Sequence, residues 1–203
     1  MAVLGYNISM AKTEAIIFDL FGVVLNDSLG QMLDELAQTD PKGVVEVWDL
    51  IHQVSRGMID REDSNRQVAA IFGMTVDEYR QRVAAGEVRN TQLLELISQL
   101  RGTYKTAILS NISKGGLSRR FSSQELDKYF DVVVGSADVG MAKPDLEVYR
   151  LTATRLGVEP ARCIFTDDKS DFCEAAIETG MRAIHYTDFA SFKTQLERLL
   201  AQG

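Results

Sequence analysis

The stretch AIIFDLFGVVL, residues 15–25, decides the fold and raises the first chemical question. Its apolar run ends on the carboxylate of Asp19, which is followed two residues later by an aromatic ring, Phe21, and then by Gly22. A short run without alternation is typical of a strand covered on both faces in a parallel sheet. Such sheets bind ligands at the carboxyl ends of their strands, and a glycine there lets the backbone approach a ligand closely. Asp19 is therefore a candidate functional residue.

Four more apolar runs predict strands of the same kind. Helical patterns follow the later runs at 144–158, 171–181 and 189–200, each with apolar residues recurring on one stripe. Strands that alternate with helices predict an α/β fold with a Rossmann-like, doubly wound parallel sheet. The first strand is predicted at 14–19, and the others are KTAILS (105–110), DVVVGS (131–136), RCIFTD (162–167) and RAIHYT (182–187).

Residues 26–88 break this alternation. They contain four helical stretches separated by glycine, proline and polar residues. We therefore expect a Rossmann-like core made of residues 1–25 and 89–203, with a small helical cap, residues 26–88, inserted after the first strand. The helical stretches are SLGQMLDELAQ (28–38), VVEVWDLIHQVSRG (44–57), REDSNRQVAAIFG (61–73) and TVDEYRQRVAAG (75–86).

Composition narrows the classes of partner and compartment. The chain has 203 residues, 45% of them hydrophobic, and a net charge of -7, which disfavours nucleic acid and anionic membrane surfaces as partners. No apolar run approaches the length of a membrane span. The N-terminal MAVLGYNISMAK lacks the basic and apolar regions of a signal peptide, and two cysteines are too few for a disulfide framework. We expect a cytoplasmic protein.

Polar residues mark the ends of three further predicted strands. Ser110 and Asn111 end the second strand, and Asp167 and Asp168 end the fourth. After the third strand the chain reaches Lys143, which precedes a proline suited to the first turn of a helix. Each residue alone has a structural explanation as a turn former, cap or surface group. Together with the acid of the first strand, they predict one functional edge of the sheet.

The residue types fit phosphoryl transfer. Asp19 and Asp168 could share a hard divalent cation, most simply Mg²⁺, since carboxylate oxygens are its preferred ligands. Lys143 and the cation would neutralise a phosphoryl group, while Ser110 and backbone N–H groups near Asn111 would hold its oxygens at a helix start. Asp19 then becomes a nucleophile that forms an aspartyl-phosphate.

The ordered set of motifs resembles the haloacid dehalogenase superfamily over nearly the whole chain. FDLFGVVL resembles the first family motif, LSN the second, the lysine of GMAKPDLEVY the third and FTDDKSDFCEAA the fourth. The helical insertion resembles the alpha-helical cap of the first subclass. The paired aspartates of the fourth motif are similar to those of the sugar-phosphatase-like and epoxide-hydrolase-N-terminal-like members.

The resemblance implies a site and a reaction. The expected reaction is Mg²⁺-dependent hydrolysis of a small phosphorylated metabolite, such as a sugar phosphate, with Asp19 as nucleophile. The implied metal ligands are Asp19, the backbone carbonyl of Phe21 and Asp168, and the implied phosphate-binding residues are Ser110, Asn111 and Lys143, the last also stabilising charge.

Phe21 departs from the family pattern and leaves three interpretations. Family phosphatases usually carry a second aspartate there, which protonates the leaving group and then activates water. The protein could be a phosphatase for substrates whose leaving group needs little protonation, such as anomeric or acyl phosphates. It could be a metal-independent 2-haloacid dehalogenase-type hydrolase, since those members carry an aromatic residue at this position. It could also be a non-catalytic binding or regulatory protein. The joint presence of Asp19, Lys143 and Asp168 favours the phosphatase.

Phe172 is a second departure, at a position where the fourth motif often has Asn or Asp.

Three other features are interpreted as structural. His52, one turn after Trp48, is expected to pack against that ring with a wet edge. His185, in the last predicted strand, is expected to be a core histidine. The segment SRRF, 118–121, could be a local anion contact, but a solvated helix face is the favoured interpretation, and Ser113 before it is expected to be a helix N-cap.

Overall fold

Five parallel strands form one sheet in the computed structural model, which describes residues 11–202. The strand order is β3-β2-β1-β4-β5, so the first strand lies in the centre. All five predicted strands and the α/β fold are confirmed, and the central strands β1 and β4 are buried on both faces as in a typical parallel sheet. The strands are β1 (Ala15–Phe18), β2 (Lys105–Ser110), β3 (Val132–Gly135), β4 (Cys163–Asp167) and β5 (Arg182–His185).

Four helices follow β1, at the positions that the sequence predicts. They pack around their own apolar cluster, which includes Met32, Val47, Val68 and Tyr79. Side-chain caps fix their starts: for example, Thr75 and Glu78 form a reciprocal capping box. The helices are α1 (Ser28–Ala37), α2 (Pro41–Ser55), α3 (Arg61–Ile71) and α4 (Val76–Gly86).

The remaining helices cover the two faces of the sheet. Leu93 and Phe192 lie in the apolar cluster on one face, and Val148 and Ala176 lie in the cluster on the other. This double covering explains the continuous apolar runs of the strands. The helices are α5 (Thr91–Leu100), α6 (Ser123–Tyr129), α7 (Ser136–Val139), α8 (Leu146–Leu156), α9 (Ser170–Glu178) and α10 (Phe189–Ala201).

The helical insertion is held over the carboxyl edge of the sheet. Two hydrogen bonds join its entry and exit segments, from Asn26 N–H to the Val88 carbonyl at 2.9 Å and from Asn90 N–H to the Val24 carbonyl at 2.9 Å. The end of α2 is bonded to the core as well, since Ser136 Oγ donates to the carbonyl of Ser55 at 2.5 Å. These contacts place one wall of the insertion above the strand ends.

Among residues 11–202, no helix combines the length and apolar character needed to cross a membrane. The predicted absence of a signal peptide concerns residues that lie mostly outside those described.

Candidate active site

Three neighbouring strands bring the predicted polar residues to one edge of the sheet. Asp19 directly follows β1, Ser110 ends β2 and Asp167 ends β4, and these strands are adjacent and parallel. A cavity of about 720 Å³ opens at this edge and is lined by Asp19, Ser110, Lys143 and Asp168, together with residues of the helical insertion. The predicted site residues therefore share one cavity.

Lys143 is buried between two carboxylates. Its ammonium donates to Asp19 Oδ1 at 2.6 Å and to Asp167 Oδ2, and it lies 4.9 Å from the ring centre of Phe172. The other oxygen of Asp167 accepts the backbone N–H of Lys169 at 3.0 Å. Asp167 is thus committed to holding the lysine, a role that the sequence did not reveal. Phe172 adds an aromatic face to the same pocket.

Asn111 positions the loop that carries the lysine. Its Oδ1 accepts the backbone N–H of Lys143 at 2.8 Å, and its Nδ2 donates to the Lys143 carbonyl at 2.7 Å. The peptide bond between Lys143 and Pro144 is cis. The Asn111 side chain therefore holds the loop of Lys143, and one N–H of its amide has no assigned partner in these two hydrogen bonds.

Ser110 presents an unpartnered hydroxyl to the cavity. The residue is fully buried, and its Oγ has no hydrogen-bond partner among the described residues. A buried polar atom without a partner costs free energy unless a ligand or water satisfies it. The hydroxyl is therefore available to donate to an anionic ligand.

A cluster of carboxylates lies beside these groups. Asp19, Asp167 and Asp168 each offer an oxygen within 4.8 Å of the others. Gly22 makes room for them, because it has a φ of 81° and a Cβ at that position would collide with the Asp168 carboxylate. An all-oxygen donor set with space preserved around it fits a hard cation such as Mg²⁺.

The electrostatics of the cluster favour an incoming cation. Burial raises the pKa of Asp19 to about 7, although the charge of Lys143 opposes the rise. Burial, with a contribution from the charge of Asp167, raises the pKa of Asp168 to about 6. For Lys143, burial alone would lower the pKa, but the charges of Asp167 and Asp19 more than offset it and keep the ammonium protonated. A cation that binds here displaces protons from the carboxyls.

A guanidinium covers the ring of Phe21. Arg120 Cζ lies 5.0 Å from the ring centre, and Arg120 Nε donates to Glu87 Oε2 at 2.7 Å, with a second hydrogen bond to Oε1. The Glu87 side chain is only 11% exposed, and all three residues line the cavity. At the position where Phe21 departs from the family pattern, the wall therefore carries an aromatic ring covered by an ion pair.

The expectation of a solvated helix at 118–121 was wrong. The segment lies in a run of turns, Arg119 and Arg120 line the cavity, and Phe121 is buried. No helix begins at Ser113 either, since the first helix after β2 within the described chain is α6. The glycine pair at 115–116 was the available signal, because such pairs mark turns and loops.

The two histidines differ from one another. His185 is exposed, and its Nε2 lies 2.8 Å from the Asp168 carbonyl, so the expectation of a core histidine was wrong. The reason is that β5 is the edge strand of the sheet. His52 lines the cavity with its ring centre 6.4 Å from that of Trp48, which agrees with the predicted pair with a wet edge.

Comparison with known proteins assigns the chain to a family. A family model described as a haloacid dehalogenase-like hydrolase matches residues 13–180. The chain belongs to that family. This hydrolase is 29% identical over 195 residues to a sesquiterpene phosphatase of Aspergillus oryzae, and the alignment covers 92% of this chain and 96% of the relative. It is 28% identical over 186 residues to a phosphorylated carbohydrates phosphatase of Thermotoga maritima, covering 85% and 84%.

Two further likenesses broaden this picture. An (S)-2-haloacid dehalogenase of Pseudomonas fluorescens is 23% identical to the hydrolase over 188 residues, covering 84% of this chain and 83% of the relative. A solved structure of a family enzyme from Bacteroides thetaiotaomicron, in complex with magnesium and inorganic phosphate, matches with a TM-score of 0.70 at 19% identity and covers 89% and 98%. The family predicted from the motifs and the predicted fold are confirmed.

Proposed function

We propose that this hydrolase is a Mg²⁺-dependent phosphatase that cleaves a small phosphorylated metabolite through an aspartyl-phosphate. One observation carries the proposal: the Asp19 carboxylate lies 2.6 Å from the buried ammonium of Lys143, in a cavity that also holds the unpartnered hydroxyl of Ser110. A nucleophile, a fixed cation and a free donor thus surround one space. The phosphatase names of two full-length relatives support the proposal.

Asp19 acts as the nucleophile. One of its carboxylate oxygens attacks phosphorus, and the new O–P bond forms as the bond to the leaving oxygen breaks and that oxygen takes the electron pair. Water then attacks phosphorus, which releases inorganic phosphate and restores the carboxylate. Lys143 and Ser110 hold the phosphoryl oxygens in both steps, and Asn111 keeps the lysine in place.

Asp19 and Asp168 are the residues that would hold Mg²⁺, with the backbone carbonyl of Phe21 as the third ligand implied by the resemblance. Bound there, the cation supplies electrostatic stabilisation of the negative charge on the phosphoryl group. Asp167 is assigned to Lys143 instead, because both of its oxygens already accept hydrogen bonds. The space that Gly22 leaves beside Asp168 supports this arrangement.

Phe21 restricts which esters can be cleaved. A phenyl ring neither protonates a leaving group nor activates water. General acid–base catalysis is typically worth about 10²–10⁴-fold in rate, so its absence slows both steps. The favoured substrates are those whose leaving group is stable as an anion.

We also propose that residues 26–88 form a cap domain on a core of residues 1–25 and 89–203. The separate apolar cluster of α1–α4 supports this division. The cap would be held shut by α2, whose end bonds the core through Ser55 and through an Arg56–Asp145 ion pair at 2.7 Å.

A dehalogenase is the second candidate function. The aromatic residue at Phe21 and the dehalogenase relative favour it. Asp19 would then displace halide from carbon, and water would cleave the resulting ester. The partly buried carboxyl of Asp168 beside the nucleophile opposes this candidate, because a haloacid brings a further carboxylate to an already acidic site.

One assay separates the candidates. Phosphate release from p-nitrophenyl phosphate and chloride release from chloropropionate are measured with Mg²⁺ and with EDTA. We expect Mg²⁺-dependent phosphate release that is lost in Asp19→Asn and retained in Asp127→Asn, a matched change on an exposed residue of α6. Metal-independent chloride release would establish the dehalogenase instead, and no turnover of either compound would indicate a non-catalytic protein.

A further inference from the structure

We infer that the substrate is a phosphate whose leaving group carries an apolar body and is itself stable as an anion, as in a hydrophobic aryl or acyl phosphate. This inference rests on the proposed phosphatase function and names the substrate class of the same site. It replaces the sugar phosphate as the favoured example.

The surface of the cavity as a whole is mostly apolar, although polar side chains also line its insertion side. A volume of about 720 Å³ far exceeds what a phosphoryl group fills and lies in the range of cavities that enclose drug-sized ligands. Helices α1 to α4 all contribute to this side of the cavity, and α3 contributes the polar residues Arg61, Ser64 and Asn65. The apolar wall residues are Leu29, Trp48, Ile51, Tyr79 and Val83.

The apolar surface continues to the phosphate-binding end. Phe21 and Phe172 line the cavity on the core side, close to Asp19 and Lys143. An atom group next to the ester oxygen therefore meets aromatic rings at this end. A sugar would place hydroxyls there, and burying a hydroxyl without a partner is costly.

Three polar side chains of the wall are engaged with neighbouring groups of the insertion. Ser55 Oγ donates to the His52 carbonyl at 3.0 Å, and Arg80 pairs with Glu62. Arg61 also pairs with Glu62, at 3.0 Å. Both guanidinium groups therefore have a carboxylate partner, and the buried Nε of Arg80 makes no hydrogen bond among the described residues.

Besides Lys143 and Arg120, two further cations line the cavity on the core side. Arg119 donates to Ser113 Oγ at 2.7 Å and to the Lys114 carbonyl at 2.8 Å, on the loop that follows β2. Lys169 lies at the start of α9, with its ammonium 4.5 Å from the ring centre of Trp48. Both residues lie next to strand ends, where their positive charges could stabilise the same phosphoryl group.

The nature of the leaving group follows from Phe21. No acid stands at that position, and the nearby carboxylate of Glu87 is held in a two-point ion pair with Arg120. An alkoxide would have to leave without a proton, whereas a phenolate or a carboxylate leaves readily. A leaving group that is apolar and also stable as an anion is found in hydrophobic aryl and acyl phosphates.

The test is the hydrolysis of para-alkylphenyl phosphates with side chains from methyl to hexyl. The phenols released from these esters have nearly the same pKa, so differences in kcat/KM report how the alkyl chain binds in the cavity. We expect kcat/KM to rise about fourfold for each added methylene until the cavity is filled. The para-propyl ester should exceed the para-hydroxyethyl ester, which has nearly the same size, by about tenfold or more.

Matched valine variants locate the effect. Val83→Thr puts a hydroxyl into the cavity wall and should reduce the gain per methylene. Val45→Thr makes the same change on the solvent side of α2, where Val45 is 63% exposed, and should leave the gain unchanged.

A flat chain-length series with equal propyl and hydroxyethyl esters, alongside turnover of p-nitrophenyl phosphate, would overturn the substrate class and leave the phosphatase standing. Absence of phosphate release from every ester would overturn both.

Discussion

Replacing Lys143 with methionine removes the cation that two buried carboxylates share. The ammonium lies 2.6 Å from Asp19 and also bonds Asp167, and its side chain is 1% exposed. Removing one partner of a buried, hydrogen-bonded charge pair costs about 3–5 kcal/mol, because the remaining charge has neither water nor a counterion. Methionine retains an unbranched apolar stem, so the loss reports mainly the charge. We expect the free energy of unfolding at pH 8, in EDTA, to fall by about that amount.

The deficit should depend on pH in a defined direction. Burial raises the pKa of Asp19 to about 7 with Lys143 in place, and loss of the ammonium raises it further. A carboxyl whose pKa is raised by folding destabilises the folded state increasingly as the pH rises from its unfolded to its folded pKa. Above pH 7 Asp19 of the wild type becomes ionised, so a further rise in pH changes its stability little. In the variant Asp19 is still protonated in the folded state, and the folded state continues to lose stability relative to the unfolded state as the pH rises. The deficit should therefore grow by about 1 kcal/mol between pH 7, where half of the wild-type carboxyls are still protonated, and pH 8.

Urea denaturation followed by circular dichroism measures both quantities. Lys193→Met is the matched control, because that side chain is 51% exposed and 4.0 Å from Glu197, and it should cost less than about 0.5 kcal/mol. Adding Asp167→Asn to Lys143→Met should recover about 1–3 kcal/mol, since one uncompensated charge is gone. A deficit equal to that of the control, or one that shrinks as the pH rises, would refute the reasoning.

Three further predictions concern metal binding and leaving groups. The pKa values of Asp19 and Asp168 are raised to about 7 and about 6, and both carboxyls must lose their protons when Mg²⁺ binds. The Mg²⁺ affinity measured by calorimetry should therefore rise at least about tenfold from pH 6 to pH 8. An affinity that does not change with pH would contradict this. Gly22→Ala should weaken Mg²⁺ binding by about tenfold or more, because the new Cβ would collide with the Asp168 carboxylate. Gly73→Ala is the control: its φ is 66° and no atom lies within 4 Å of the new Cβ, so it should strain the backbone alone and leave the Mg²⁺ affinity unchanged. Phe21→Asp should speed the first step for alkyl phosphates by up to about 10²–10⁴-fold while changing the rate of the p-nitrophenolate burst little. Equal gains in the first step for both substrates would show that the aspartate acts otherwise than as an acid.

Much of the fold could be predicted from local patterns. Strands covered on both faces of a parallel sheet show continuous apolar runs, and all five runs proved to be strands. Helix ends were less accurate: the helix predicted at 144–158 begins at Leu146, because Pro144 and Asp145 belong to the preceding turn. The candidate site residues converge because parallel strands present their ends at one edge, which topology alone dictates.

What the sequence could not show depends on contacts between distant segments. The adjacent acids Asp167 and Asp168 look alike in sequence, yet the first is fully buried against Lys143 and the second is only partly buried. The residue that covers Phe21 is Arg120, roughly half the chain away, in a segment whose charges resemble an ordinary solvated helix. Neither pairing leaves a local pattern, since both arise from tertiary packing.

The central claim is that Asp19 carries the phosphoryl group, and rapid mixing with p-nitrophenyl phosphate and Mg²⁺ tests it most directly. The leaving group needs no proton, so the first step should be fast, whereas no base at Phe21 activates water for the second. We predict a burst of about one p-nitrophenolate per active site, followed by slower turnover. Borohydride added after acid quenching should convert residue 19 to homoserine, as seen by peptide mass spectrometry. Turnover without a burst and without modification at Asp19, or reduction at a different carboxylate, would contradict the account.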